Sequence, residues 1–158
     1  MLYRSGKDAR LKLDLSPAAE EDVESLVALR IAAMRESLER IGRFDAQRAR
    51  DRFMAGFSPE HTRHINKDGK RVGFVVVRLD GDGLLLDHLY VHPDYQNQGI
   101  GQWVLRQVFD EADGQGKDMK VGALKGSGSN RFYARHGFEL VEQAEWDNYY
   151  VRRTSRTA

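Results

Sequence analysis

From Leu84 the chain reads LLLDHLYVHP, an apolar run closed by Pro93. It predicts a buried strand, because Leu, Tyr and Val fill a pleated surface and proline cannot donate to the ladder. The period then changes: Ile100, Trp103, Val104, Val108 and Ala112, with Phe109 beside them, fall on one face of a helix. Earlier in the chain, Leu11, Leu13 and Leu15 alternate with Lys12 and Asp14 and predict a half-buried strand over Arg10 to Leu15. Ser16-Pro17 reads as the N-cap and first residue of a helix whose face is Val23, Leu26, Val27, Ile31, Met34, Leu38 and Ile41, stopped at Gly42. Asp45 is the expected cap of a second helix, Ala46 to Phe57, with Ala49, Phe53, Met54 and Phe57 at helical spacing.

His61 to Asn66 reads as a short strand, turned at Asp68-Gly69 into Arg71 to Leu79, where Phe74 to Val77 in succession imply burial on both faces. Asp80-Gly81-Asp82-Gly83 then leads into the Leu84 strand. After the long helix come a strand at Lys120 to Leu124, a short helix at Asn130 to His136, and strands at Phe138 to Val141 and Trp146 to Val151. There is no repeat, linker or low-complexity segment. The pattern is that of one α+β domain over residues 1–158, a mixed sheet with helices on both faces.

Between the Leu84 strand and the long helix lies Gln96-Asn97-Gln98-Gly99-Ile100-Gly101. Glycines at the first turn of a helix let a ligand approach the backbone, and that turn presents unpaired N–H groups and a partial positive charge to an anion. The competing glycine signatures are absent. The third glycine of a dinucleotide fingerprint counted from Gly99 is Val104, and the Gly-Lys pairs at Gly6, Gly69 and Gly116 are followed by Asp8, Arg71 and Asp118, not by the Ser or Thr of a P-loop.

The block LYVHPDYQNQGIGQWVL resembles the acetyl-CoA-binding signature of the Gcn5-related N-acetyltransferases, Gln/Arg-x-x-Gly-x-Gly/Ala, which here is Gln96-x-x-Gly99-x-Gly101. A second block, Asn130-Arg-Phe-Tyr133-Ala-Arg-His-Gly137-Phe138, resembles that family's later motif and follows one intervening strand. The resemblance spans about Arg71 to Leu140. It implies the family's fold, a mixed and mostly antiparallel sheet of six to seven strands, and transfer of an acetyl group from acetyl-CoA to a primary amine of a small molecule or peptide. A regulatory acyl-CoA-binding module without turnover, or a transferase of another acyl group, would share these motifs.

The implied site follows residue by residue. The amides of Gln98, Gly99, Ile100 and Gly101, with Gln96 and Asn97 beside them, would receive the pyrophosphate. The strand edge at Leu89, Tyr90 and Val91 would pair with the pantetheine arm as an added strand, beside a family bulge that the sequence alone does not locate. Asn130 would contact the cofactor and Tyr133 would protonate the departing thiolate. The family's usual strand glutamate is missing, since its expected place falls among Leu84, Leu85 and Leu86. Asp87 and His88 are the nearest titratable residues, and regular alternation would aim only one of them at the acceptor. Both also fit a structural role.

Composition narrows the remaining partners. With 25 basic and 24 acidic residues the chain lacks the positive excess of a bulk nucleic-acid binder. It has no cysteine, no apolar stretch of membrane-spanning length, and a polar start, MLYRSGKDAR, unlike a signal peptide. The expectation is a cytoplasmic protein with no metal, no membrane partner and no nucleic acid, compatible with a homodimer. His61 and His64 are close, but lack the cysteines or carboxylates of a zinc site. The first helices carry Arg30, Arg35, Arg40, Arg43, Arg48, Arg50 and Arg52. Most are expected to pair with carboxylates in solvent. If one lines the acceptor site it could grip a substrate carboxylate, and Arg35, Glu36 and Asp45 are the candidates.

Overall fold

A computed structural model describes residues 12–155 apart from Ile41 and Arg43, so the expected strand residues Arg10 and Leu11, the helix-face residue Ile41 and the charge at Arg43 lie outside the described residues. Seven strands form one sheet: β1 Leu13–Pro17, β2 Thr62–Lys67, β3 Lys70–Asp80, β4 Gly83–Val91, β5 Met119–Leu124, β6 Glu139–Gln143 and β7 Asp147–Arg152. Their order is β1-β2-β3-β4-β5-β7-β6, and every neighbouring pair is antiparallel except β4 with β5. Among the described residues four α-helices accompany the sheet: α1 Val23–Arg40, α2 Ala46–Gly56, α3 Ile100–Gly114 and α4 Ser129–Arg135.

The period of two along β3 divides the core. Phe74 and Val76 face α1 and α2, where they pack with Leu26, Val27 and Phe53, while Val75 and Val77 face α3 and α4 with Val104, Leu105, Val108 and Tyr133. The unbroken apolar run expected for a doubly covered strand is therefore a strand between two helical layers. Crossing from β4 to the parallel β5 requires a long connection, which α3 supplies.

The start of the first helix differs from the expectation. Ser16 and Pro17 are the last residues of β1, an edge strand in which a proline removes no needed ladder bond. The Ser16 hydroxyl accepts a hydrogen bond from Asn66 Nδ2 at 2.9 Å, so it caps nothing. The helix is entered through a 3-10 turn at Glu20–Asp22, where Asp22 Oδ2 accepts the Ala19 N–H at 2.8 Å. The same carboxylate meets the buried His64 Nε2 at 2.9 Å and Arg71 Nη1 at 3.1 Å. The Ala19 amide first, then His64 and Arg71, pull its pKa down to about 2. One acidic side chain thus fixes α1 to β2 and β3. Asp45 does cap α2, accepting from Arg48 N at 3.1 Å. At the other end of the chain, Arg152 holds Asp113 through two bonds of 3.0 Å and ties β7 to α3.

Candidate active site

β4 is irregular where the site begins. Val76 pairs with His88 but the next residue, Val77, pairs with Leu86, so Asp87 has no partner opposite it: a β-bulge. Before the bulge Leu84 and Leu86 face α3; after it Leu89 and Val91 do. The extra residue shifts the alternation by one. Asp87 and His88 consequently both lie on the α1/α2 face, Asp87 bonded to Arg78 at 2.6 Å and His88 ringed by Phe53, Phe74 and Tyr90. The expectation that only one of the two could point that way holds for a regular strand and fails at this one.

The bulge coincides with the end of pairing to β5. Only Leu84, Leu85 and Leu86 pair with Met119, Lys120 and Val121; beyond them the strands part. Among the described residues no strand pairs with the β4 edge from Leu89 to Val91, and Gln96 Nε2 donates to Val91 O at 2.9 Å. The gap holds a cavity of about 160 Å³. Its walls are Leu86 to Val91 of β4, Val121 to Leu124 of β5, Ala33, Met34 and Ser37 of α1, Ser127, Gln96, and Ser129 and Tyr133 of α4.

His88 is largely enclosed. Its Nδ1 is buried without a hydrogen-bond partner and its Nε2 stands 3.9 Å from Asp87 Oδ2. Burial is the main force on its pKa and lowers it to about 4; Asp87 opposes the shift, while Arg30 and Arg78 add to it. The ring is neutral at pH 7. Asp87 is already engaged: Arg78 Nε donates to it, and Arg78 Nη2 is anchored on Gly56 O at 2.7 Å.

Above the gap, Asn97 (φ 64°) and Gly99 (φ 83°) adopt left-handed backbone that reverses the chain into α3. Asparagine and glycine carry that conformation at little cost. No side chain caps the helix start, so its first amides face outward without an internal acceptor. Lys67 Nζ donates to Gln98 Oε1 at 2.8 Å. Ile100 turns its side chain into the core, leaving only its amide to the turn. Gly101 has a packing reason too: a Cβ there would stand 3.1 Å from Phe132 Cζ, so its lack of a side chain lets α4 approach α3.

In α4, Tyr133 is buried and lines the cavity, and its hydroxyl has no hydrogen-bond partner among the described residues. Burial, with a smaller contribution from Tyr90, raises its pKa and keeps the phenol protonated. Asn130 differs from the expected cofactor contact. Its Nδ2 donates to Leu124 O at 2.9 Å and Ser127 O at 3.0 Å, while Oδ1 accepts from Asn148 Nδ2 at 2.9 Å and Tyr150 Oη at 2.8 Å. Those four bonds use the amide's full capacity. Asn130 knots α4 to β5 and β7, and holds Tyr133 in register from behind.

The expected acceptor residues are not brought to the cavity. Arg35 is 60% exposed and paired with Glu39 at 2.9 Å; Glu36 is 90% exposed and 3.5 Å from Arg40; Asp45 is the α2 cap. In a helix, residues i and i+4 share a face, so Ala33 and Ser37 look inward while Arg35, Glu36 and Glu39 look out. Sequence reasoning missed Ala33, Met34 and Ser37 because nothing in small or apolar residues signals chemistry. It missed Arg78 because its role depends on a bulge.

A splayed parallel pair over a cavity, with a glycine turn opening the following helix, is the frame of the N-acetyltransferase fold that the two motif blocks resemble. Residues 59–140 match the family model described as acetyltransferase (GNAT) domain, and the chain belongs to that family. A PaiA N-acetyltransferase from Thermoplasma acidophilum in complex with coenzyme A superposes with a TM-score of 0.74 at 15% identity, over 89% of this chain and 98% of that one. A GCN5-related N-acetyltransferase from Rhodopseudomonas palustris does so at 0.71 and 24% identity, over 89% and 94%. N-acetylglutamate synthase from Neisseria gonorrhoeae, complexed with coenzyme A and L-arginine, gives 0.66 at 20% identity; the match covers 92% of this chain but 34% of the synthase. At these identities the likeness is one of fold. A search of curated proteins returns no match.

Proposed function

We propose that the chain transfers an acetyl group from acetyl-CoA to a primary amine. The observation that carries this reading is the parting of β4 from β5 just beyond Leu86, over a cavity that Tyr133 and His88 both line, next to an uncapped helix start. The free edge at Leu89 to Val91 suits the amide-bearing pantetheine arm, and the amides of Gln98 to Gly101 suit the pyrophosphate. Gln96 and Asn97 shape that turn and do not need to touch the cofactor through their side chains.

The amine attacks only as the free base, since a protonated amine has no lone pair. Its nitrogen forms a bond to the thioester carbonyl carbon, the carbonyl π electrons move to oxygen, and backbone N–H groups of the β4 edge beyond the β5 pairing are the donors that oxyanion would meet. His88, neutral and part of the cavity wall, accepts the proton released from nitrogen; Asp87 at 3.9 Å then faces an imidazolium and stabilises it. As the tetrahedral intermediate collapses the C–S bond breaks, and Tyr133 gives its proton to the leaving thiolate.

Calorimetry with coenzyme A and a thiol-release assay with acetyl-CoA and a panel of primary amines test the reading together. Binding with amine-dependent thiol release, reduced on the order of 10²-fold in Tyr133→Phe at unchanged coenzyme A affinity, is the expected result. Binding with no release for any amine would point instead to an acyl-CoA-binding module, the reading that the missing strand glutamate leaves open.

A further inference from the structure

We infer that the acceptor is an amine that carries no carboxylate. This rests on the acetyl-transfer reading and concerns the half of the cavity that the cofactor's arm would leave to the second substrate.

Among the described residues no lysine or arginine contributes to the cavity wall. On the α1 side the wall is Ala33, Met34 and Ser37, and among the described residues of the wall the one formal charge is that of Asp87. The nearby guanidiniums each have a partner outside the cavity wall, with Arg30 Nε left buried and unpartnered among the described residues. Arg78 holds Asp87 and Gly56 O; Arg30 donates to Ala49 O at 3.2 Å with its head 6.0 Å from the Tyr90 ring centroid; Arg40 donates to Gly126 O at 3.1 Å and lies 3.5 Å from Glu36. A substrate carboxylate in this cavity would lose water, find no cation among the described residues of its wall and stand near Asp87. Each of those disfavours it. An amine with an aliphatic or aromatic body meets the opposite conditions: Met34 and the alanine offer apolar contact, the serine hydroxyls offer neutral hydrogen bonds, and Asp87 attracts the ammonium on approach.

Amino acids and their decarboxylated counterparts isolate the charge. The rates of tyramine against tyrosine and agmatine against arginine are compared as kcat/KM on the free-amine concentration, with tyrosinamide as a third member that keeps the bulk without the charge. The inference expects tyramine and agmatine to exceed their amino acids by at least about tenfold, with tyrosinamide close to tyramine. Asp87→Asn should narrow the gap. Amino acids accepted as well as the amines would overturn the inference while leaving acetyl transfer intact, and so would a tyrosinamide as poor as tyrosine, since size would then decide. If coenzyme A binds and none of these acceptors nor any other amine is acetylated, the transfer reading falls and this one with it.

Discussion

Gly73 lies in β3 opposite Val91, at the edge proposed for the cofactor's arm. A Cβ at that position would stand 2.3 Å from Tyr90 O, 3.1 Å from Ile65 Cδ1 and 3.2 Å from Val91 Cα. Two of these three neighbours are backbone, and ordinary contact begins near 3.4 Å. Gly73→Ala therefore requires β3 and β4 to move apart by roughly 1 Å, against a ladder that is hydrogen-bonded on both sides and packed between two helical layers. Overpacking of this kind costs about 3 kcal/mol. For a domain of this length that lowers Tm by roughly 6–12 °C. Thermal and urea unfolding of the variant measure it. The displaced backbone is that of Tyr90 and Val91, so coenzyme A affinity should fall as well, whereas Gly114→Ala, in open space at the end of α3, should leave affinity unchanged. A Gly73→Ala protein within about 1 kcal/mol of the parent would refute the reasoning, because it would mean the two strands part without cost.

Two further outcomes follow from protonation. His88 has its pKa depressed to about 4 and is the proposed proton acceptor, so its contribution to kcat/KM should be lost only as pH falls through about 4, not near the ordinary 6.5; an acid limb near 6.5 that disappears in His88→Gln would contradict this. Asp22 has a folded pKa of about 2 against 3.8 unfolded, which contributes stability that is complete above the unfolded value and lost as pH falls from about 3.8 through about 2. Asp22→Asn should lower the urea midpoint at pH 7 and flatten its acid dependence over that window, and an unchanged acid dependence would show that His64 and Arg71 do not hold the carboxylate.

The fold was legible because its signals are local. The 3.6 period from Ile100, the cap at Asp45, the Asp-Gly turn after Lys67 and the doubly buried run in β3 each depend on neighbours a few residues away, and each appears within a residue or two of its expected bounds. The glycine turn was legible for the same reason. What escaped the sequence needs information from elsewhere in the chain. Asn130 is saturated by partners 3, 6, 18 and 20 residues away, most of them beyond its own turn, and Arg35 turns outward because Ala33 and Ser37 turn in. The Ser16-Pro17 pair is a sound helix start in isolation, and loses to β1 because Asn66 and the β2 ladder take the same residues first.

The unpaired residue in β4 has a consequence for how this stretch tolerates change in the gene. Exchanging Asp87 for another side chain leaves the backbone count intact, so Leu89 and Val91 stay in one hydrophobic layer and His88 and Tyr90 in the other. Losing the codon altogether is a different event: the ladder would close up as an ordinary antiparallel pair in which Leu86 and His88 become neighbours and keep their faces and partners, and the irregularity at which β4 leaves β5 would be lost with the residue. Loss of that single residue thus straightens the strand and takes the gap's origin with it, while missense changes at the same spot keep the extra residue in place.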